Sequence, residues 1–264
     1  MHPFGSRTAL IGHTGFVGSN LAAQHTYSGH FNSKNIQYIA GQTFDTIVCA
    51  GVQAVKYWAN QHPDEDWKGI QCLLSPLKSV KVRRFILLST VDVYASPLQV
   101  TEADPAPWQN HVYGRHRRAV ESFVQGLFPE SHIIRLPGLF GPGLKKNVIY
   151  DLLHGNGLEA IQPASAFQYY HLKHLTDDLL RVLDGGIPLL NLATEPIRTQ
   201  TILDRFAPVT DVGSRAGAIG RYDFRSRYDH LWGGTGGYLY SASRVLEDME
   251  SFFASERARL VSAV

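Results

Sequence analysis

The sequence predicts an α/β fold: a doubly wound parallel sheet, abbreviated at one edge, with a small C-terminal lobe. Three observations predict it. Gly12, Gly15 and Gly18 stand three apart between an apolar run and a helical stripe. Apolar strand patterns alternate with amphipathic helical ones, as a parallel sheet with crossover helices requires. Only 27 residues separate Gly18 from Thr46, too few for the strand and helix that an unabridged sheet of this kind fits there.

The glycine stretch organises the chain. Ala9-Leu10-Ile11 reads as a strand, and Phe16, Val17 and Leu21 as the buried stripe of a helix. The first glycine permits a sharp turn, the second lets a pyrophosphate approach the backbone, and the third brings helix close to strand. The helix N-terminus adds unbonded N–H groups and a partial positive charge. Gly12, Thr14, Gly15, Phe16, Val17 and Gly18 are therefore candidate residues for binding a dinucleotide.

Composition bounds the rest. The chain has 264 residues and a formal net charge of +2, and it contains no block of lysine and arginine that would point to nucleic acid. No apolar run approaches the length of a membrane span. Met1 to Thr8 lack the apolar core of a secretion signal. The two cysteines, Cys49 and Cys72, have no metal spacing, and a reduced, cytoplasmic setting is the expectation. His171 and His174 could share a helix face, but no third ligand stands near, so no metal site is expected.

Taken in order, His25–Phe31 reads as a weak second strand, and Ser33 as the N-cap of a helix carrying Ile36 and Ile39. Thr46–Gly51 reads as a buried parallel strand. Gln53 to His62 suits a short helix. The next helix follows Pro63-Asp64-Glu65-Asp66, with the stripe Ile70, Leu73, Leu74, Leu77 and Val80, and Pro76 is expected to bend it. Arg84–Leu88 is a strand that delivers Ser89 and Thr90 at its C-terminal end, where ligands bind in open α/β sheets. A proline-rich loop leads to a helix from Tyr113 to about Phe128, and Ile133–Leu136 is the next strand. Further helices run through Leu183 and from about Ser241. Residues 1–137, completed by about 168–192, form the expected dinucleotide-binding domain, and 138–264 form mainly a substrate lobe.

Thr90, Tyr113 and Arg117 carry the chemistry. Positions four apart share a helix face, so Arg117 points the way Tyr113 does. A fixed cation there favours the phenolate and lowers the phenol toward working pH. The Thr90 hydroxyl can bond a substrate oxygen beside it. Such a set exchanges a proton while a nicotinamide exchanges a hydride. An ordinary half-buried tyrosine is the competing reading for Tyr113 alone.

With these residues in view, the chain resembles the extended short-chain dehydrogenase/reductases, in the branch of nucleotide-sugar epimerases, dehydratases and reductases. The resemblance rests on Gly12-x-x-Gly15-x-x-Gly18, Leu88-Ser89-Thr90-Val91-Asp92-Val93-Tyr94, Tyr113-Gly114 with Glu121, and Arg135-Leu136-Pro137-Gly138-Leu139-Phe140-Gly141-Pro142-Gly143. Tyr169-Tyr170-His171-Leu172 and Asn191-Leu192-Ala193 are weaker echoes. The resemblance implies a Rossmann-like fold, Thr90 as hydroxyl partner and Tyr113 as acid and base. It puts Ala50 and Gly51 along the cofactor, Pro137 and Gly138 near the nicotinamide, and Asp92 at the substrate. It also implies a cleft for a nucleotide-linked sugar and a possible homodimer through two helices.

Three departures shape the reading. Arg117 replaces the family's lysine; it keeps the charge and can bond a ribose but cannot release a proton. Gly138 removes an asparagine contact. Val91 stands where the dehydratases carry the first of two acids, so an epimerase or keto-reductase is expected over a dehydratase. The other class in play is a binding or regulatory protein that holds a dinucleotide without turnover. NADP is expected over NAD, because Asn32, Ser33 and Lys34 put no carboxylate at the end of the second strand to meet a ribose 2′-hydroxyl. For a substrate diphosphate the candidates are Lys145, Lys146, Asn147 and Arg225. Arg225 belongs to Arg221–Arg227, which as a strand would put Arg221, Asp223, Arg225 and Arg227 on one face; a solvated edge is the competing reading. Gly233–Gly237 could be a lid or a plain loop.

Overall fold

The computed structural model describes residues 4–262, so Met1–Pro3 of the N-terminal reading lie outside them. In chain order the elements are β1 (Thr8–Ile11), α1 (Phe16–Gln24), β2 (Gly29–Phe31), β3 (Thr43–Cys49), α2 (Lys56–Gln61), α3 (Pro63–Leu77), β4 (Lys81–Thr90) and α4 (Val112–Leu127). Next come β5 (Ser131–Leu136), β6 (Gly138–Phe140), α5 (Val148–His154), β7 (Ala166–Phe167), β8 (Tyr169–His171) and α6 (Leu175–Asp184). β9 (Leu189–Asn191), β10 (Ile197–Arg198), α7 (Thr199–Phe206) and α8 (Ala242–Ser262) follow.

Contacts divide the chain into two compact units. The first runs through Ser96 and adds Glu102–Leu136 and Leu172–Asn191; the second holds Pro97–Thr101, Pro137–His171 and the chain from Leu192. The first unit carries a six-stranded sheet in the order β2-β1-β3-β4-β5-β9, with every neighbouring pair parallel. It is the Rossmann-like doubly wound sheet that the alternation predicts. From β1 the chain moves outward to β2 and then crosses to the other side with β3. The order therefore reverses between β1 and β3, beside the glycine turn, and such a switch point is where open α/β sheets bind ligands. The continuous apolar runs of β1, β3 and β4 suit strands covered on both faces, and their Ile11, Ile47, Phe85 and Leu87 lie in one core with Leu74 of α3 and Val120 of α4.

The edge is shortened as the spacing predicts. After β2 no further strand is added; a 3-10 turn at Ile36–Ile39 tucks Ile36 and Ile39 into the core instead. Local details differ from the sequence reading. The second strand is Gly29–Phe31, because His25 and Tyr27 pack their rings against Phe4 ahead of it. Ser33 caps no helix. It is exposed, and the turn is taken by two asparagines: Asn32 Oδ1 accepts from the Lys34 N–H at 2.9 Å, and Asn35 Oδ1 from the Asn32 N–H at 2.6 Å. On α1 only Leu21 of the expected stripe is fully buried, with Gly18 and Asn20 beside it, while Phe16 and Val17 are half-buried. Pro76 is the next-to-last residue of α3, where the helix is already ending.

The second unit has its own core, in which Phe140, Ile149, Tyr169, Ile202 and Phe206 meet Met249, Phe252 and Phe253 of α8. His171 is buried there against the rings of Phe140 and Phe252. Two short sheets, β6 with β8 and β7 with β10, pair its strands. Arg221–Arg227 is not a strand, a correction to the expected element. Isolated bridges join Arg221 to Ala166 and Asp223 to Leu98, and no continuous ladder forms. The alternation survives without one: Phe224 and Ser226 are buried, and Arg221 and Arg227 are exposed.

Candidate active site

The glycine turn is built by close approach. Gly12 has φ +86°, a conformation open to glycine, and a Cβ on Gly18 would sit 2.0 Å from the Gly12 carbonyl oxygen. The Gly12 N–H donates to the Phe31 carbonyl at 2.7 Å, and His13 Nδ1 lies 3.1 Å from the same oxygen, so the end of β2 pins the turn. The first helical bond runs from the Ser19 N–H to the Gly15 carbonyl. The N–H groups of Phe16, Val17 and Gly18 thus precede the hydrogen-bond ladder of α1. No acidic residue stands in that first turn. The turn fits a phosphate by shape, by donors and by charge.

Tyr113 is the first residue of the buried stripe on α4, which continues through Arg117, Val120, Glu121 and Val124. A helix with charged residues on its buried face must pair each of them, and here both are paired. The helix is started by side chains: His111 Nδ1 accepts from the Gly114 N–H at 3.0 Å, and Asn60 Oδ1 of α2 accepts from the Tyr113 N–H at 2.9 Å. Gly114 allows α4 to press on the turn after β4, since a Cβ there would lie 2.4 Å from the Asp92 carbonyl oxygen and 2.3 Å from Asn110 Nδ2. That approach brings Tyr113 to Thr90 at the C-terminal end of β4.

The Thr90 hydroxyl and the Arg117 guanidinium both lie near the Tyr113 phenol and favour its charged form. Arg117 lies against the face of the ring, its Cζ 4.2 Å from the centroid. The expected lowering of the phenol does not occur; it is held above its ordinary value. Burial, which leaves the residue 5% exposed, is the largest cause, and Asp92 adds to it. Thr90 and Arg117 oppose the rise without overcoming it.

Arg117 is itself neutralised, which the sequence reading missed. Its Nη1 donates to Asp66 Oδ2 at 2.6 Å, its Nη2 to Asp66 Oδ1 at 3.0 Å, and Nη2 also to the Gln53 carbonyl. Holding that carbonyl outward accompanies a later start for α2, at Lys56 and not Gln53. With its face on the Tyr113 ring as well, the guanidinium is engaged on several sides. His116 Nδ1 lies 2.8 Å from the same Asp66 oxygen. Burial alone would raise the Asp66 carboxyl, but the bonds from Arg117 and His116 outweigh it and leave the group below its usual value. A signal was available, because Asp66 stands four before Ile70 on the apolar stripe of α3.

Asp92 lies beside Thr90, whose Oγ1 accepts from the Asp92 N–H at 3.2 Å, and its carboxylate is 2.7 Å from Lys56 Nζ at the start of α2. Lys56 was not singled out from the sequence. Burial and the Lys56 charge lower His111, matching a neutral ring whose Nδ1 accepts. The remaining motif residues converge on one buried network. Arg135 on β5 makes a two-pronged pair with Glu121 of α4, at 3.0 and 2.7 Å, and its Nη1 donates to the Tyr94 hydroxyl at 2.7 Å. Ser89 donates to Glu121 at 2.6 Å, and Asn191 meets the Tyr94 hydroxyl. These five residues tie β4, α4, β5 and β9 together and leave Tyr94 buried, away from a catalytic part.

Around the cofactor candidates, a Cβ on Gly12 would meet the Ala50 carbonyl oxygen at 2.5 Å, so the end of β3 lies against the glycine turn. Asn32 is half-buried and Lys34 exposed. In the second unit, Gly138 pairs with Tyr169 and its N–H donates to the Gln168 carbonyl at 3.0 Å; Pro137 is half-buried. Lys145 and Lys146 are exposed, and burial of the ammonium lowers Lys146. Asn147 works locally, since its Oδ1 accepts from the Ile149 and Tyr150 N–H groups to cap α5 and its Nδ2 donates to the Leu139 carbonyl. Arg225 lies over the Tyr238 ring, 3.7 Å from Asp223. The Gly233–Gly237 loop is fastened by Asp229, which accepts from the Gly234 N–H through its carbonyl and the Gly237 N–H through its carboxylate.

A glycine turn at a switch point, and a helix-borne tyrosine near a threonine at a strand's C-terminal end, are the features in which the chain resembles the extended short-chain dehydrogenase/reductases. Residues 31–154 match the model of the NAD dependent epimerase/dehydratase family. The match spans the Thr90 and Tyr113 motifs and begins beyond the glycine turn. No curated protein matches the chain in sequence. Among solved structures, an epimerase from the thermophilic methanogen Methanothermobacter thermautotrophicus superposes with a TM-score of 0.74 at 16% identity, covering 100% of this chain and 97% of that one. The dTDP-4-dehydrorhamnose reductase of Bacillus anthracis in complex with NADP gives 0.70 at 16% identity over 94% and 98%. MoeE5 in complex with UDP-glucose and NAD gives 0.69 at 17% identity over 97% and 100%. All three share the fold. Among the described residues no helix is long and apolar enough to cross a membrane, and no histidine, cysteine and carboxylate cluster suits a metal.

Proposed function

We propose that this chain is an NAD(P)-dependent oxidoreductase acting as an epimerase or keto-reductase on a nucleotide-linked sugar. The observation that carries this reading is the Tyr113 phenol beside the Thr90 hydroxyl at the end of β4, with the Arg117 guanidinium on its ring face. The nicotinamide supplies hydride exchange when bound. Gly12, Thr14, Gly15, Phe16, Val17 and Gly18 would hold its diphosphate, Ala50 and Gly51 the adjoining backbone, and Pro137 and Gly138 the nicotinamide end. Neighbours with NAD, NADP and UDP-glucose in their structures support the ligand classes.

The chain's own residues divide the proton chemistry. With its phenol held above the usual range, Tyr113 is protonated at neutral pH and donates its proton to a substrate carbonyl oxygen. Thr90 donates a hydrogen bond to the same oxygen and steadies the charge that forms there. In the oxidative direction Tyr113 takes the proton back from the alcohol. Asp92, next to Thr90, would meet the sugar hydroxyls, and Lys145, Lys146 and Arg225 would read the diphosphate. Asn147 is left out of that set because its amide caps α5. A single acid, Asp92, follows Thr90 where dehydration calls for two, which favours epimerase or reductase.

NADP is the proposed cofactor. Asn32, Ser33 and Lys34 follow β2 without a carboxylate, and the exposed Lys34 supplies charge to a 2′-phosphate. Calorimetric titration with both cofactors tests this, and tighter binding of NAD overturns it. The activity is tested by NADPH oxidation against a panel of keto-sugars. Tyr113→Phe is expected to lower turnover by about 10²-fold or more, the scale of general acid–base catalysis, with cofactor affinity retained. Full activity in that variant would sink the assignment.

A further inference from the structure

Tyr113 does not face a bare cation; it faces a buried ion pair. Asp66 and Arg117 are each 4% exposed and joined by two hydrogen bonds, while the Gln53 carbonyl holds the guanidinium from another side. Arginine in a low-dielectric site stays charged, so whatever neutralises it decides how strongly it acts on a group stacked upon it. The carboxylate that does so is on α3, and the phenol is on α4. His116 meets the same Asp66 oxygen from an open groove of about 360 Å³ lined by Asp64, Trp67, Trp108 and Arg115.

We propose that Asp66 is a positioning residue for Tyr113: it fixes the Arg117 guanidinium on the ring face and offsets part of its charge there. The fork of the guanidinium matches the two carboxylate oxygens, which sets the plane of Arg117 against the phenol. The same pairing weakens the positive charge that draws on the phenolic proton. Tyr113 is thereby kept as an acid. Remove the Asp66 charge, and the nearest anion open to Arg117 is the Tyr113 phenolate itself. The charged and titratable groups that surround the pair are Lys56 on α2, Asp64 on α3, Asp92 after β4, His111 ahead of α4, and Arg115 and His116 on α4. None of them is altered in the variants below.

The inference rests on the reading of Tyr113 as the proton-transfer group, so its test is chosen to need no turnover. Tyr113 is titrated by nuclear magnetic resonance of isotope-labelled tyrosine in the full chain, its signal identified by its loss in Tyr113→Phe. Asp66→Asn is expected to lower the Tyr113 midpoint by roughly one to three pH units, the reach of an opposite charge at this range. Arg117→Gln is expected to raise it, and Asp66→Asn to shift it less in that background than in the wild type. Asp66→Glu, which keeps the charge, should restore the wild-type midpoint. If Asp66→Asn does not fold, Asp66→Ser is expected to move the midpoint the same way. A midpoint unmoved or raised by the neutral variants, or an equal shift in the Arg117→Gln background, overturns the inference. Turnover surviving Tyr113→Phe overturns the functional reading and leaves the titration to decide the role of Asp66.

Discussion

Arg117 shows how a single replacement redistributes work among neighbours. A lysine in its place would offer a compact charge on a flexible stem, whereas the guanidinium is planar and forked and finds a carboxylate and a carbonyl to fill it. Arg117→Ala is therefore expected to reduce turnover more than cofactor affinity. It also leaves the buried Asp66 without its partner, and breaking a buried pair on one side costs roughly 3–5 kcal/mol, readable as a lower urea midpoint at unchanged slope. Asp66 carries a pH signature of its own. Its carboxyl titrates lower in the folded chain than its ordinary value, so its contribution is present above the unfolded value of about 3.9 and lost as the pH falls through the folded one. Urea midpoints should drop below about pH 4 in the wild type, and this acid limb should be shallower in Asp66→Asn. An equally steep limb in the variant would assign the acid loss to other carboxylates.

At the scale of the element, α4 carries chemistry and scaffolding on one stripe. Tyr113 and Arg117 lie in its first turns, and Glu121 locks its middle to Arg135 of β5. The two functions can be separated. Gly114→Ala puts a methyl where Asp92 and Asn110 already stand, which should push Tyr113 from Thr90. Turnover is expected to fall about tenfold or more while the chain stays folded, since a small misplacement at the reacting group is costly. Glu121→Gln should do the reverse, lowering the thermal midpoint by leaving the Arg135 charge without its counter-ion in the interior while sparing cofactor affinity. Much of this was legible in the sequence. The helix boundaries at Tyr113 and near Phe128, the stripe of α3 and the Thr90–Tyr113 meeting all follow from periodicity and motif spacing. Partners of the charged residues were harder to read, because the match of Asp66 to Arg117 or Glu121 to Arg135 is made by packing between elements and leaves no trace in local spacing. Lys56 escaped for the same reason.

Over the whole molecule, the alternation of apolar runs and amphipathic helices carried the sheet, and the count of residues after Gly18 carried its missing strand. The irregular second half was less readable. Arg221–Arg227 has strand alternation yet gains only isolated bridges, since a face pattern records burial and not hydrogen-bonded partners. Asparagine outcompeted serine at Asn32–Asn35, a contest of side-chain bonds that composition does not decide. The abbreviated edge has a consequence for how the fold opens. β2 is three residues long and bonded on one side to β1, whereas β3 is paired along both edges. Amide exchange should accordingly be fastest at Gly29–Phe31 and slowest at Ile47 and Val48, where strands are interior. The residues proposed to hold the adenosine end of a cofactor follow that same loose margin. A ligand bound there would act as the absent strand's substitute, slowing exchange at β2 first. It would also raise the global unfolding free energy by about 2.7 kcal/mol at a hundredfold excess over its Kd.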